Sequence, residues 1–328
     1  MKSTKTKLLL GILVSSLFVY LAFRKIHVEE MLHAFGQLNC WYLLPALLFV
    51  FLSLWIRAVR WGYFLRPIKR VNLKALFSSL MIGYMANNIF PAHLGELLRA
   101  YSVGRTARVS SVSALASIIV ERILDVLTLL LIFAITVLFQ PFPDYVQQSS
   151  YVIFGITMGG IIFLSALVYR TEATLKFVLF CSRPLPQKLS DRLQKFSRSL
   201  LEGFLSLKQP RHYPVIVLTS ILIWSCYIAT VQCTIFAFGF HHNQNLPWVA
   251  SIVILVMVGF SVAIPSSPGY IGTYHYFCMV GLSLYGIEAS SAFSFAIVLH
   301  LLNFIPLTVA GLYYFWQEHF TIREAFSR

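Results

Sequence analysis

Along this chain apolar residues gather into runs of about 16 to 27, parted by short polar stretches, where roughly 20 suffice for a helix to cross the hydrocarbon core of a bilayer. A barrel strand would instead alternate every second residue over units of about ten, a pattern this sequence lacks. The runs are Leu8 to Phe23, Trp41 to Ile56, Ala75 to Phe90, Ala114 to Phe139, Tyr151 to Tyr169, Pro214 to Phe238, Val249 to Ile264 with its continuation to Tyr285, and Ala289 to Trp316. They predict an all-α, polytopic membrane protein with about 8 membrane segments, some of them re-entrant or broken. One helical membrane domain is expected over 1–328, because the longest polar segment, Arg170 to His212, is itself interrupted by apolar residues.

Two runs are interrupted. After Ala75 to Phe90 comes Pro91-Ala-His-Leu-Gly95-Glu96, and Leu97 to Val103 then leads back to Arg105 and Arg108. After Val249 to Ile264 comes Pro265-Ser-Ser-Pro268-Gly269-Tyr-Ile-Gly272-Thr273, and Phe277 to Tyr285 resumes. Proline removes a backbone donor and glycine loosens the backbone, so such sequence at membrane depth must be shielded by protein or line a cavity. Pro91, Gly95, Pro265, Pro268, Gly269 and Gly272 are the expected structural breaks. Interrupted segments in corresponding positions of two halves point to a transport site near the midplane, although no internal sequence repeat is evident.

Composition agrees with the pattern: of 328 residues 58% are hydrophobic and 12% charged, against about a quarter charged in globular domains. The formal charge of +14 concentrates at Lys2, Lys5 and Lys7, in Arg57 to Lys74 (six basic residues, no acid) and in Arg170 to Arg211 (nine basic, three acidic). The positive-inside rule puts all three on the cytoplasmic side of the cell membrane, with both termini cytoplasmic, and makes the basicity a matter of orientation and anionic lipid rather than nucleic acid. Three apolar runs separate the two basic loops. Parity therefore makes the short, Asn- and Ser-bearing Ala75 to Phe90 one arm of a hairpin entering from the cytoplasm. For 248–286 the charges allow a hairpin or two full crossings.

The basic head and apolar body at the start resemble a secretory signal without a small-x-small cleavage site before Arg24, and read as a retained first helix. In 170–212, Leu189, Leu193, Phe196, Leu200, Phe204 and Leu207 form an apolar stripe. An amphipathic helix on the inner leaflet and packing against the domain's own underside explain it equally well. The five cysteines lack metal-ligand spacing and His241-His242 is a loop pair, so no metal or cofactor is expected.

The candidate chemistry lies where charge meets apolar sequence. Glu121, Arg122 and Asp125 sit inside Ala114 to Phe139, where each charge costs roughly 2.5 to 3.5 kcal/mol on insertion scales. At helical spacing Glu121 and Asp125 share a face, and Arg122 reaches Asp125. His93, Glu96 and Arg99 belong to the first interruption. Helix ends freed by proline attract anions, and arginine forks match phosphate oxygens, so Arg99 and Arg122 are candidate clamps for a lipid phosphate. The rival account is a salt-bridge network that sews the hairpin to its neighbour. Thr273, Tyr274 and His275 are the polar groups of the second interruption, with backbone capping the alternative for Thr273. His300 and Asn303, three apart in the last run, suit a helix-helix hydrogen bond as well as a substrate contact.

The stretches NNIFPAHLGELLRAYSVGR (Asn87 to Arg105), SIIVERILDVLTLLL (Ser117 to Leu131) and IPSSPGYIGTYHYF (Ile264 to Phe277) resemble the signature segments of the lysylphosphatidylglycerol synthase transmembrane, or flippase-like, family. The match lies in P-x-x-x-G-E-x-x-R, S-x-x-x-E-R-x-x-D and P-x-x-P-G-x-x-G-T. The resemblance implies a domain that moves amino-acylated or glycosylated lipids between leaflets, and it points to Pro91, Gly95, Glu96, Arg99, Glu121, Arg122, Asp125, Pro268, Gly269, Gly272 and Thr273. The expected partner is a membrane lipid carrying an anionic phosphate. A flippase or scramblase is the first reading, and no GxxxxGK[ST] loop for ATP occurs. An intramembrane glycosyl or aminoacyl transferase, and a membrane partner of a separate lipid-modifying enzyme, are the alternatives.

Overall fold

A computed structural model of the chain describes residues 2–24, 26–90, 94–139, 154–155, 157–160, 162, 210–263 and 267–318. It is helical, with no strand among the described residues. The principal elements are α1 (Lys2–Phe23), α2 (Val28–Gly36), α3 (Leu43–Leu65), α4 (Leu73–Ile89), α5 (Gly95–Ala107), α6 (Ser111–Phe139), α7 (Tyr213–Ala237), α8 (Val249–Ala263), α9 (Thr273–Ser283) and α10 (Ala289–Gln317). The apolar runs thus become helices, most with ends close to those read from the pattern. Among the described residues Cys40–Leu65, Tyr213–Ala237 and Ala289–Gln317 are long and apolar enough to cross a membrane. At 29 residues α6 is also long enough, and Glu121, Arg122 and Asp125 are what set it apart in composition. The Tyr151 to Tyr169 run lies largely outside the described residues, as do the 189–207 stripe, Pro91, His93 and Pro265.

The chain forms two compact units, one from Met1–Ile56, Leu80–Leu98 and Ile221–Arg328, the other from Arg57–Ser79 and Arg99–Ser220. In the first unit a core of apolar side chains from α7, α8, α9 and α10, among them Ile235, Ile254, Cys278, Phe295 and Leu299, is fully buried. Within this unit α8 and α9 form an antiparallel pair. Gly281 of α9 lies against Ile254 of α8, where a Cβ at Gly281 would sit 3.3 Å from the Ile254 Cα, so the missing side chain lets the two backbones close. With 15 and 11 residues these helices are about 22 Å and about 16 Å long, short of the ~30 Å hydrocarbon core. Of the two arrangements open for 248–286, these lengths fit the hairpin.

The tip of the α4–α5 pair belongs to the same unit. Gly95 opens α5, and its amide donates to Asn87 Oδ1 at 2.8 Å. A side chain at Gly95 would run into the Gly83 carbonyl and the Asn87 amide, so only glycine allows this return. In the second unit the far ends of the same two helices meet through Ser79 Oγ and Ser102 Oγ, 2.8 Å apart.

The first basic loop needs correction. Arg57 and Arg60 were counted with the charges of Arg57 to Lys74, and the Trp41 run was ended at Ile56. In the structure α3 continues to Leu65, and both arginines are buried within it. Their charge is neutralised by partners inside the protein, so no water is needed to hold them. The loop itself keeps Arg66, Lys69, Arg70 and Lys74.

Candidate functional site

In the second unit α3, α5 and α6 converge on Glu121. Positions 57, 60 and 61 share one face of α3, while 117, 121 and 125 fall one turn apart on α6. Arg57 donates to Glu121 Oε1 at 2.8 Å, and its other terminal nitrogen lies 2.9 Å from Asp125 Oδ2. Arg60 pairs with Asp125 Oδ1 at 2.7 Å and with Glu121 Oε1 at 3.4 Å, and donates to Ser220 Oγ of α7 at 2.9 Å. From α5, Arg99 donates to Glu121 Oε2 at 2.8 Å. Its guanidinium carbon lies 3.9 Å from the ring centroid of Trp61, close enough for a cation–π contact. The indole in turn donates to Ser117 Oγ at 2.9 Å, so the platform beneath Arg99 is fixed.

This set carries three arginines against two carboxylates. Its side chains are 4% (Arg57), 1% (Arg60), 3% (Arg99), 0% (Glu121) and 11% (Asp125) exposed. Burying charge is costly unless each oxygen and each proton finds a partner; here every carboxylate oxygen lies within ion-pair distance of an arginine, Asp125 Oδ2 without a hydrogen bond of its own among the described residues. The network ties three helices together. Arg122, next in sequence to Glu121, is only half-buried.

The sequence reading joined Glu96, Arg99, Arg122, Glu121 and Asp125. The structure brings Arg99, Glu121 and Asp125 together through Arg57 and Arg60, which that reading left in a loop. Glu96 belongs to the hairpin tip, where its Oε1 accepts from Asn87 Nδ2 at 3.4 Å. The spacing of Arg57, Arg60 and Trp61 on one helical face was the available signal.

The first unit holds the second polar centre. Gly269 has φ +67° and Gly272 φ +91°, left-handed values that favour glycine, and a side chain at Gly269 would sit 2.6 Å from the Phe304 ring. The exposed backbone of this interruption is answered from three helices. Ser15 Oγ of α1 accepts from the Ser267 amide at 2.8 Å, and His300 Nε2 of α10 donates to the Gly269 carbonyl at 2.8 Å. Thr273, fully buried, donates to the Tyr270 carbonyl at 3.1 Å, which ties the start of α9 back to the interruption rather than capping the helix. Tyr274 is buried and stacks on His300 at 4.8 Å, and His275 lies edge-on to the same ring at 4.9 Å. Asn303 turns back to the Leu299 carbonyl of its own helix at 2.9 Å.

The two interruptions meet on α10. Asn88, at the end of α4, donates to the Phe304 carbonyl at 3.2 Å and to Thr308 Oγ1 at 2.8 Å. Its own carbonyl lies 3.4 Å from where a Cβ on Gly269 would be. Residues 300 to 308 of α10 therefore contact both broken elements. Among the described residues no group of three or more His, Cys, Asp or Glu is placed to hold a metal ion.

A family described as Lysylphosphatidylglycerol synthase TM region matches residues 8–311. A UPF0104 membrane protein of Methanothermobacter thermautotrophicus is 26% identical over 289 residues, covering 83% of each chain. Another of that name from Methanocaldococcus jannaschii is 22% identical over 94% of each chain. The glycosyltransferase AglD of Haloferax volcanii is 22% identical across 92% of this chain but only 53% of its own. No solved structure matches this chain.

Proposed function

The chain belongs to the lysylphosphatidylglycerol synthase TM region family, and on that premise we propose that it is a lipid translocase, moving a lipid with a phosphate-bearing or glycan-linked headgroup between leaflets. One observation carries the reading: Asn88 at the end of α4, where the first interruption begins, and the second interruption, Ser267 to Thr273, both contact residues 300 to 308 of α10 within one compact unit. Broken helices whose polar backbone meets at membrane depth are how many transporters form a substrate site. Acyl chains would stay in lipid while the headgroup passes polar groups such as Asn88, Thr308 and His275.

Charge placement sets the orientation of this proposal, with both termini in the cytoplasm, the α4–α5 hairpin entering from that side and the α8–α9 hairpin from the other. Arg122, in the second unit, is proposed separately as a phosphate contact, because among the described arginines of α3 and α6 it is half-buried where Arg57 and Arg60 are buried. The Arg57–Arg60–Arg99–Glu121–Asp125 network is the frame. The test is headgroup-labelled lipid equilibration in proteoliposomes. The full chain should speed equilibration over protein-free vesicles, and Arg122→Gln should slow it by about tenfold, the loss of one charge-assisted hydrogen bond to phosphate. Equal rates with and without protein, over a panel of anionic and glycosylated lipids, would remove the reading.

Transfer chemistry is the second reading, favoured by the similarity to a relative named a glycosyltransferase, although the match covers 53% of that protein. In it a buried carboxylate serves as general base toward a lipid-linked acceptor. Product formation by purified protein with lipid-linked sugar donors, lost in Asp125→Asn, would put this reading first.

A further inference from the structure

The second interruption is closed by two imidazoles whose protonation states are fixed by what they touch. A carbonyl only accepts, so His300 Nε2, 2.8 Å from the Gly269 carbonyl, carries its proton. An amide only donates, so His275 Nδ1, which receives the Gly272 N–H at 3.4 Å, is bare. His275 stands at the third position of α9 and reaches back to the residue before the helix, the place a glutamine or glutamate takes in a capping box. The two hydrogen bonds hold Gly269 and Gly272, which with Tyr270 are the residues at which the described backbone of this interruption turns left-handed.

We propose that His275 is a proton site that opens the second interruption when occupied, with His300 as the fixed anchor on the opposite side. A proton from water adds to the bare Nδ1 lone pair. An N–H bond forms, the ring gains one positive charge, and the Gly272 amide loses its only acceptor on that ring. Loss of the proton restores the cap. The imidazolium would also stand on the first turn of α9, where the helix dipole repels a cation, and 4.9 Å from the His300 ring. Each effect favours an opened interruption over a charged ring in the closed one.

Among the described residues the only neighbour that competes for the proton is His300. The elements packed against α9 are α1, α8 and α10. No carboxylate or cation lies on α8, on α9, on α10 from 289 to 317, or on α1 from 13 to 23. The titratable groups near His275 are His300 on α10, Tyr274, Tyr276 and Cys278 on α9, and Tyr20 on α1, of which histidine alone changes charge near neutral pH. His275 itself is half-buried.

The proposal deepens the translocase reading by naming the proton as the ion that would move its second hairpin, and it rests on that reading only for the link to transport. Its test is independent of transport: hydrogen exchange over residues 267–276 in the full chain in nanodiscs, corrected for intrinsic rate, at about pH 8 and about pH 5, a range that spans imidazole titration. The wild type should lose protection roughly tenfold at the lower pH. His275→Gln, which keeps an acceptor that does not titrate, should stay protected at both, and His275→Ala should be unprotected at both. A flat wild-type profile, or a step that persists in either variant, overturns the site. Lipid equilibration measured alongside reports on the translocase reading alone, so the two failures are told apart.

Discussion

Glu121 joins arginines from two helices on its own two oxygens. It accepts from Arg57 and Arg99 on its two oxygens and lies within ion-pair distance of Arg60, with no exposure to solvent. Removing one partner from a buried set leaves the others charged and unanswered. Glu121→Gln should therefore destabilise the protein by about 3 to 5 kcal/mol, read as a shift in detergent-denaturation midpoint. Arg122→Gln, on the neighbouring half-buried residue, should cost less than about 1 kcal/mol in the same assay. Similar losses for both would dissolve the distinction between frame and contact. The acidic half of this network was legible in the sequence because a carboxylate inside an apolar run has few explanations. Its basic half was not. Arg57 and Arg60 follow an apolar run and precede four loop cations, so by composition they join the loop. Only the partner helix, some 60 residues away in the chain, shows that they point inward.

Hairpins rather than spanning rods give the first unit its character. The reason was readable: Pro and Gly within otherwise apolar runs break a helix, and the remaining arms are too short to cross. What the sequence could not supply was the partner of each break. Ser15 of α1, His300 of α10 and Asn87 of α4 are ordinary polar residues in apolar helices, and they become informative only once the Ser267–Gly269 turn and Gly95 sit beside them. Gly269→Ala would place a methyl on the Phe304 ring at a left-handed position. It should cost at least about 1 to 2 kcal/mol from the backbone alone and loosen the α8–α9 hairpin, seen as faster hydrogen exchange over 267–276. The short α2, which no long apolar run announced, is fastened differently. Glu30 accepts from Ser290 Oγ at 2.8 Å, and the Ser294 hydroxyl donates to the Met31 carbonyl at 3.2 Å. A hydrogen bond from Glu288 holds the Glu30 carboxyl below its ordinary range, and the same bond raises Glu288 above its own, so the two share one proton. The Glu30 contribution is lost as pH falls through its lowered value, and the Glu288 contribution as pH rises through its raised one. Attachment of α2 to α10 should thus be strongest between those values and weaken toward neutrality. Glu288→Gln, a donor at every pH, should abolish the weakening on the high-pH side, as measured by hydrogen exchange over 28–36.

At the scale of the whole chain, charge counting and helix length make separate claims that one experiment can separate. Helix length makes α8 and α9 a hairpin, which requires the residues before α8 and after α9 to face one side of the membrane. Charge counting puts the Arg66 to Lys74 loop on the cytoplasmic side even after Arg57 and Arg60 are withdrawn from it, since four cations and no acid remain. Asn243 and Ser283 are both exposed, as is Asn72 in the basic loop. With Cys40 and Cys181 replaced by serine, cysteines introduced one at a time at these three positions should divide cleanly under a membrane-impermeant maleimide. Asn243→Cys and Ser283→Cys should react from outside intact cells, and Asn72→Cys only after permeabilisation. Opposite accessibility of 243 and 283 would require the α8–α9 segment to cross the membrane once, which two helices packed antiparallel cannot do, and would overturn the hairpin. Reversal of all three would leave the hairpin intact and refute only the orientation. The headgroup route is then exposed to the same logic, because a hairpin that enters from outside presents its tip, with His275, to a path open toward that face, and the outer solution becomes the side from which acid should act on it.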